Sequence, residues 1–362
     1  AGDEGNINFN YLTGYEFARN YIFSIDDAIM NGLQSKGLAN PDASWATTKI
    51  YNVGLDGSVW NSKLFWEADA FYRIKDDILA TRAQSIPTTF GAILPEENLN
   101  SYTDRGIEFK LGHRNSIGDV NYQITGNISW ARSKWRKFDE PEYTDPDEIY
   151  RYKRTGEWRN ETYGYVTDGL FSDQEEIDSW ADITNGNDNN IIMPGDIRFM
   201  DMNNDSIINW RDQRIIGRSN IPEMYGSLMG MISYKNFELS AQVQGAARYT
   251  VFYDGKLIQP LGNQTLRPYA FFRDAWTEEN PDPNAPLPRI RHGSPSAHPN
   301  TDYLSDFFMI EDAYYFRLKE VRLAYNFNPA LLNRVGVDHL TLYVMGYNLG
   351  VITNVQYLDP EN

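Results

Sequence analysis

The chain has 362 residues, of which 23% are charged and 41% hydrophobic, and its formal net charge is −17. That charge excludes a phosphate-neutralising nucleic-acid surface and docking on anionic lipid heads by charge alone. The absence of cysteine excludes disulfides and thiolate sites, and no apolar run approaches the roughly 18 residues of a membrane helix.

The chain does not open on Met or on a charged-then-apolar signal segment. A secreted protein with a cleaved leader and an internal piece of a longer protein both read this way. The 24 Tyr, 18 Phe and 9 Trp suit an ordinary core or the aromatic girdles of a membrane barrel.

Residues 1–45 are polar and rich in Asn and Gly, and read as a loop with a short hairpin. The first strand is expected at about 48–59. Tyr51, Val53, Leu55 and Val59 alternate there with Asn52, Asp56 and Ser58, and the tight turn Trp60-Asn-Ser62 follows. The next strand, about 63–74, sets Leu64, Trp66, Ala68, Ala70 and Tyr72 against Phe65, Glu67, Asp69, Phe71 and Arg73. Three charges on one face make a poor soluble core and a plausible wall of a wet lumen.

A long connection is expected over 75–101, holding Pro87, Gly91 and Pro95. A strand at about 103–112 follows, and residues 113–118 turn the chain. The strand from Asp119 to about Lys134 alternates most regularly, with Val120, Tyr122, Ile124, Ile128 and Trp130 outward and Asn121, Gln123, Thr125, Asn127 and Ser129 inward. About ten such residues cross a membrane as a tilted strand. The interval 135–223 is the longest connection, with a helical candidate near Asp173 to Trp180.

Within that interval lies an acidic loop, Asp201-Met-Asn203-Asn-Asp205-Ser-Ile207-Ile-Asn209-Trp-Arg-Asp212. Asp201, Asn203, Asp205, Ile207, Asn209 and Asp212 occupy positions 1, 3, 5, 7, 9 and 12, the spacing of an EF-hand calcium loop. Ser206 stands where the sharp turn wants Gly, and Asp212 replaces the long bidentate Glu. The competing reading is an Asx-rich turn bonded to its own backbone.

A hairpin is expected over 224–250 about the turn Lys235-Asn236, with Phe237, Leu239, Ala241 and Val243 opposite Glu238, Ser240, Gln242 and Gln244. Residues 251–309 form another long, Pro-rich connection. A strand at about 314–327 slips phase near Arg317 to Lys319, which predicts a bulge. A last strand at about 339–350 sets Leu340, Leu342 and Val344 against Thr341, Tyr343 and Met345. Short connections thus alternate with long ones. Membrane barrels sort their connections so, with short turns at one end and long loops at the other. The fold class expected is all-β, an antiparallel transmembrane β-barrel segment of about eight strands.

The order of Gly195-Asp-Ile-Arg198, the acidic loop, Asp212-Gln-Arg214-Ile-Ile-Gly217, a Tyr-Gly strand and the Tyr234-Lys-Asn-Phe237 hairpin resembles the SusC-like TonB-dependent transporters. Asp306 to Tyr325, with its Glu311-Asp312-Ala and Arg317-Leu-Lys319, is similar to a strand of that family. So are Trp276-Thr-Glu-Glu-Asn280-Pro and Leu342-Tyr-Val-Met-Gly346-Tyr-Asn348-Leu349. The likeness covers about residues 46–362. The family's acidic loop usually has Gly where Asn204 and Ser206 stand here.

The resemblance implies a barrel of about 22 strands, of which this chain is a C-terminal part, with the plug domain and the last strand outside it. It implies import of glycans or peptides, energy passed through TonB, outer-membrane lipid around the strands and long loops about 1–45, 75–101, 135–223 and 251–309 facing the exterior. A SusD-like lipoprotein would cap the mouth, touching 135–223 and 251–309. Trp158, Tyr163, Tyr165, Trp180 and Trp276 are candidates to stack on substrate rings, or else pack the loops together. No cofactor is required; calcium in the acidic loop is the one candidate. The four His (113, 292, 298 and 339) are scattered and no catalytic constellation is legible. The alternative is a secreted, soluble, calcium-binding β-sandwich or carbohydrate-binding module, with an adhesin-like structural protein a minor third. Trp66, Tyr122 and Trp130 discriminate, facing lipid in a barrel and core in a sandwich.

Overall fold

The computed structural model describes residues 12–22, 29–82, 94–183, 189–258, 260–261, 268–291, 300, 303–328, 332 and 336–361. Its contacts divide the chain into two compact units. One comprises 1–54, 69–107 and 131–159, and the other 55–68, 108–130 and 160–362.

In chain order the elements begin with an antiparallel hairpin, β1 (Tyr15–Ile22) and β2 (Ile29–Ser35). Then come β3 (Thr47–Val59), β4 (Leu64–Thr81), β5 (Glu96–Ile117) and β6 (Val120–Lys137). Short elements follow: α1 (Pro146–Tyr152), β7 (Thr162–Gly164), β8 (Thr167–Leu170), α2 (Gln174–Ser179), β9 (Ile197–Phe199) and β10 (Arg214–Gly217). The series ends with β11 (Met224–Tyr234), β12 (Phe237–Phe252), β13 (Met309–Asn326) and β14 (Thr341–Thr353). Eight of these form one sheet in the order β14-β13-β12-β11-β6-β5-β4-β3. Neighbours in sequence are neighbours in the sheet, as hairpin closure favours. A sandwich would divide such strands between two packed sheets.

The register of the second unit separates two faces. Leu228 pairs with Gly126 on β6 and Val243 on β12, and Val243 pairs with Leu318 on β13. Since neighbours along a strand alternate, this face carries Ile124, Ile128, Leu228, Ile232, Leu239, Leu323, Leu342 and Val344. It carries no charged residue on β6 as far as Trp130 or on β11. Leu228, at 52% exposed, and Val344, at 73%, are far from buried. The opposite face carries Gln123, Asn127, Ser227, Gln242, Glu238 and Arg322, the last two ion-paired at 2.6 Å. Tyr122 and Trp130 are half-buried on the apolar face. The eight residue steps between them climb about 20 Å along a tilted strand, close to the height of an apolar membrane band.

The strands outrun their sequence signal. β4 continues through Thr81 and β5 begins at Glu96, where a connection over 75–101 was expected; residues 83–93, with Pro87 and Gly91, lie outside the described residues. Asp76 and Asp77 read as solvated turn residues. Instead Asp76 accepts from Ser101 at 2.6 Å and Arg136 at 3.0 Å, and Glu97 accepts from Arg82 at 2.9 Å. These pairs satisfy the charges across the strands. β5 likewise runs past Gly112 to Ile117. Phe65 lies where a Gly112 Cβ would stand, its nearest ring atom 2.0 Å from that point.

The bulge in β13 lies where the phase slip predicts it. Pairing with both neighbours skips Lys319, between Leu318 and Glu320. Residues 60–62 each take positive φ (55°, 56° and 61°), which closes the β3–β4 turn. The principal hydrophobic core is not under the sheet at all. It lies in the connections of the second unit, around Leu170, Phe171, Ile177, Ile197, Phe199 and Trp276.

Candidate functional site

The loop core is assembled from pieces too short to be stable alone. β8 pairs with β9, and β7 with β10. Asp173 caps α2 by accepting from the Glu176 N–H at 2.9 Å, and Glu176 accepts from the Ser172 N–H at 2.7 Å. Ile177 on this helix is 1% exposed. A structureless connection is thereby converted into a packed body; burying one such aliphatic side chain stabilises it by about 1.5–3 kcal/mol.

Polar ties link distant parts of the sequence. Asp196 is fully buried. Its carboxylate accepts from the Met193 N–H at 2.8 Å, Arg291 Nε at 3.0 Å and Asn300 Nδ2 at 3.1 Å. Asn300 in turn accepts from the Ile197 N–H at 2.7 Å. Burial pushes the Asp196 carboxyl up, while the Arg291 guanidinium and these donors pull it back. Asp306 accepts from both the N–H (3.0 Å) and the hydroxyl (2.6 Å) of Thr167, and burial pushes its carboxyl up as well. Arg198 bridges Glu176 and Asp168.

Gly195 explains the motif it opens. Its φ is +86°, and a Cβ added there would stand 2.3 Å from the Trp276 ring. Backbone and indole approach so closely that only Gly fits. Gly195-Asp-Ile-Arg198 and Trp276-Thr-Glu-Glu are therefore two sides of one contact. Arg317 and Lys319, from the β13 motif, pair with Asp359 and Glu361.

Among the five aromatic candidates, Tyr165, Trp180 and Trp276 gather in this core. Tyr165 is 6% exposed, edge-on to Phe199 and Tyr303, and Trp276 is 4% exposed. Neither presents a ring face on which a substrate could stack. Trp180 is half-buried, donates Nε1–H to the Phe199 carbonyl at 2.8 Å and lies under Arg198. Tyr163 sits on β7 opposite Ile215 and is part-exposed. Trp158 belongs to the other unit, flanked by Arg105, Arg132 and Lys134.

The acidic loop bonds its own backbone. Asp201 accepts from the Asn204, Asp205 and Ser206 N–H groups, Asp205 from Ile207, and Asp212 from Met202 and Asn209. Asn203 accepts from Asp205, and Asn209 from Arg211. Asn204 and Ser206, the two positions where the family's loop has Gly, both take positive φ (60° and 66°). The sharp turn survives without Gly. Burial pushes the Asp212 carboxyl up against the pull of its backbone donors. Among the described residues no three His, Cys, Asp or Glu gather in a metal-binding arrangement. His292 and His298 lie outside the described residues. His113 stacks on Tyr122, and His339 meets the Thr341 hydroxyl.

Sequence reasoning quoted Asp196 and Asp306 inside motifs but missed their work, and it missed Asn300 and Arg291 altogether. Their signal lay in pairs of short motifs that are about 100 residues apart. Clefts open among the described residues of the second unit. One of about 530 Å³ is lined by Thr167, Ile215, Asp306 and Glu311; one of about 270 Å³ is lined by Tyr253, Phe271, Phe308 and Tyr357.

No family model matches the chain. In sequence it is 28% identical over 345 residues to TonB-dependent receptor P26 of Formosa agariphila, covering 92% of this chain and 33% of that protein. It is 24% identical to the TonB-dependent receptor SusC of Bacteroides thetaiotaomicron, covering 97% and 33%. In fold it matches the solved RagAB peptide transporter with a TM-score of 0.70 at 20% identity, covering 98% of this chain and 36% of that one. The open-open state of the RagAB peptide importer matches at 0.72. Sequence and fold liken the chain to the TonB-dependent receptors, with an antiparallel sheet and structured connections. Within that class the chain is SusC-like, and it spans about a third of the length of the relatives it matches.

Proposed function

We propose that the chain is part of a barrel wall in an outer-membrane importer that works with TonB and takes in glycans or peptides. The observation that carries this is the two-faced sheet. One face is apolar and exposed from β6 to β14, and the other is lined by amides, hydroxyls and paired charges. In water such an apolar surface is a liability; in lipid it is the required outer surface of a barrel, with a wet lumen behind it.

The loop core serves this role as a rigid rim. It ties the described residues of 160–223 and 268–309 together by burial and by the Asp196 and Asp306 contacts, which suits docking of a SusD-like lipoprotein over the mouth. Substrate contact then falls to Tyr163 and Trp180, while Tyr165 and Trp276 hold the rim together. The RagAB likeness favours peptides as cargo and the SusC likeness leaves glycans in play. The part of the protein that engages TonB lies outside this sheet.

The test uses the full-length protein in its native outer membrane. Detergent-dependent extraction, heat-shifted gel migration and co-purification of a surface lipoprotein support the proposal. Deletion should abolish growth on one glycan or peptide source and leave free monomers usable. Solubility without detergent, with no heat shift, would overturn it in favour of the soluble β module.

A further inference from the structure

We infer that the first unit carries a docking patch for phosphorylated membrane-lipid headgroups, centred on Trp158, Arg105 and Lys134; this rests on the barrel reading above. Side chains alternate along each strand, so Arg105 shares a face with Ile107 on β5, and Lys49 shares one with Tyr51 and Val53 on β3. Those three apolar residues are 56%, 60% and 76% exposed. The apolar face of these strands therefore passes directly into a row of cations.

Trp158 marks the centre of that row. It pairs with Lys134 across an antiparallel bridge. The Arg105 guanidinium lies 4.5 Å from its ring, the Arg132 guanidinium 4.1 Å and the Lys134 ammonium 5.4 Å. Three cations around one indole repel one another, and the ring offsets this only partly. Other cations of the unit meet carboxylates, Lys49 included, which lies 3.9 Å from Asp76. Arg73 is paired with Asp104, which also accepts from Ser133, and Arg136 is paired with Asp76 at 3.0 Å. Among the described residues Arg105 and Lys134 have no carboxylate partner.

A cation pair left open on the apolar-bearing face, beside an interfacial Trp, is complementary to a phosphate at the edge of a bilayer. A substrate in the lumen would meet the opposite face, where Asp104 has already neutralised Arg73. The net charge of −17 conceals the patch, although Asp76 meets two cations of the same unit, Arg136 and Lys49. Charge alone does not dock the protein; the neighbouring apolar residues set the depth at which these cations sit.

The experiment equilibrates the purified full-length protein in detergent with lipid A, in its phosphorylated and dephosphorylated forms, and measures retained lipid by mass spectrometry. The wild type should retain the phosphorylated form at least tenfold better. The double variant Arg105→Gln/Lys134→Gln should lose that preference, and Arg73→Gln should keep it. Preference should also fall as salt rises. Equal retention of the two forms by the wild type overturns the inference without needing any variant, and so does an unchanged preference in a double variant that folds. Heat-shifted gel migration, run on every sample, separates the two readings. Protein that fails to shift sinks the barrel and this patch with it; shifted protein without preference sinks the patch alone.

Discussion

Replacing Gly195 by Ala tests whether the loop core is organised by the contact between the Gly195 backbone and Trp276. Two costs follow from the structure. The residue sits at φ +86°, where a side chain costs roughly 1–2 kcal/mol. The new Cβ would also stand 2.3 Å and 2.4 Å from two ring atoms of Trp276. That ring is 4% exposed and packed within the core, so it gives way poorly, and overpacking of this kind costs about 1–3 kcal/mol. Together the core should lose about 2–5 kcal/mol. The assay is hydrogen exchange on the folded full-length protein in detergent, followed in peptides covering 165–200 and 270–290. Protection there should fall about 30-fold or more while the strands stay protected. Gly195→Ala/Trp276→Leu should recover the overlap part, giving a favourable coupling of about 1–3 kcal/mol. Protection unchanged within a factor of two in Gly195→Ala would refute the reasoning, and zero coupling in the double variant would refute the role given to Trp276.

Three further outcomes are expected. Leu228→Arg, in the middle of the apolar face, should cost about 2–4 kcal/mol in folding into lipid vesicles, while Ser227→Arg on the other face should cost little; equal costs would show that the faces are misassigned. Burial raises the Asp306 carboxyl above its ordinary 3.8. On this group's account the fold around it is therefore most stable below that value and loses stability as pH rises through the raised folded pKa, because the burial cost of the carboxylate outweighs the Thr167 bonds that favour it. Opening free energies of 165–170, measured by exchange from pH 4 to 7, should fall with rising pH, and Asp306→Asn should flatten the slope; an unchanged slope would clear Asp306 of the effect. Finally, the carboxylates of the 201–212 loop are already engaged by backbone N–H groups. Millimolar calcium should leave the thermal midpoint of the full-length protein within about 1 °C, and a rise abolished by Asp205→Asn would instead establish a metal site.

Sheet membership was legible from alternation alone. The phase slip near Arg317 to Lys319 even located the bulge, because an extra residue shifts the period of two. Strand ends were not legible. Asp76 and Asp77 are turn residues by composition, and only cross-strand partners such as Arg136 and Ser101 make a strand there tolerable. The aromatic candidates were similarly ambiguous. Trp276 and Trp158 look alike as letters, yet one is enclosed by the loop core and the other stands among three cations.

The sequence by itself therefore determined what is periodic and local: the strands, the two faces, the tight turns and the sorting of short and long connections. Backbone geometry imposes that pattern within a few residues. Only the tertiary structure decided what the long connections do. A core built from Leu170, Ile177, Phe199 and Trp276, and ties such as Asp196 to Arg291 and Asn300, join residues about 100 apart. No local period records a contact that exists only once the chain has closed on itself.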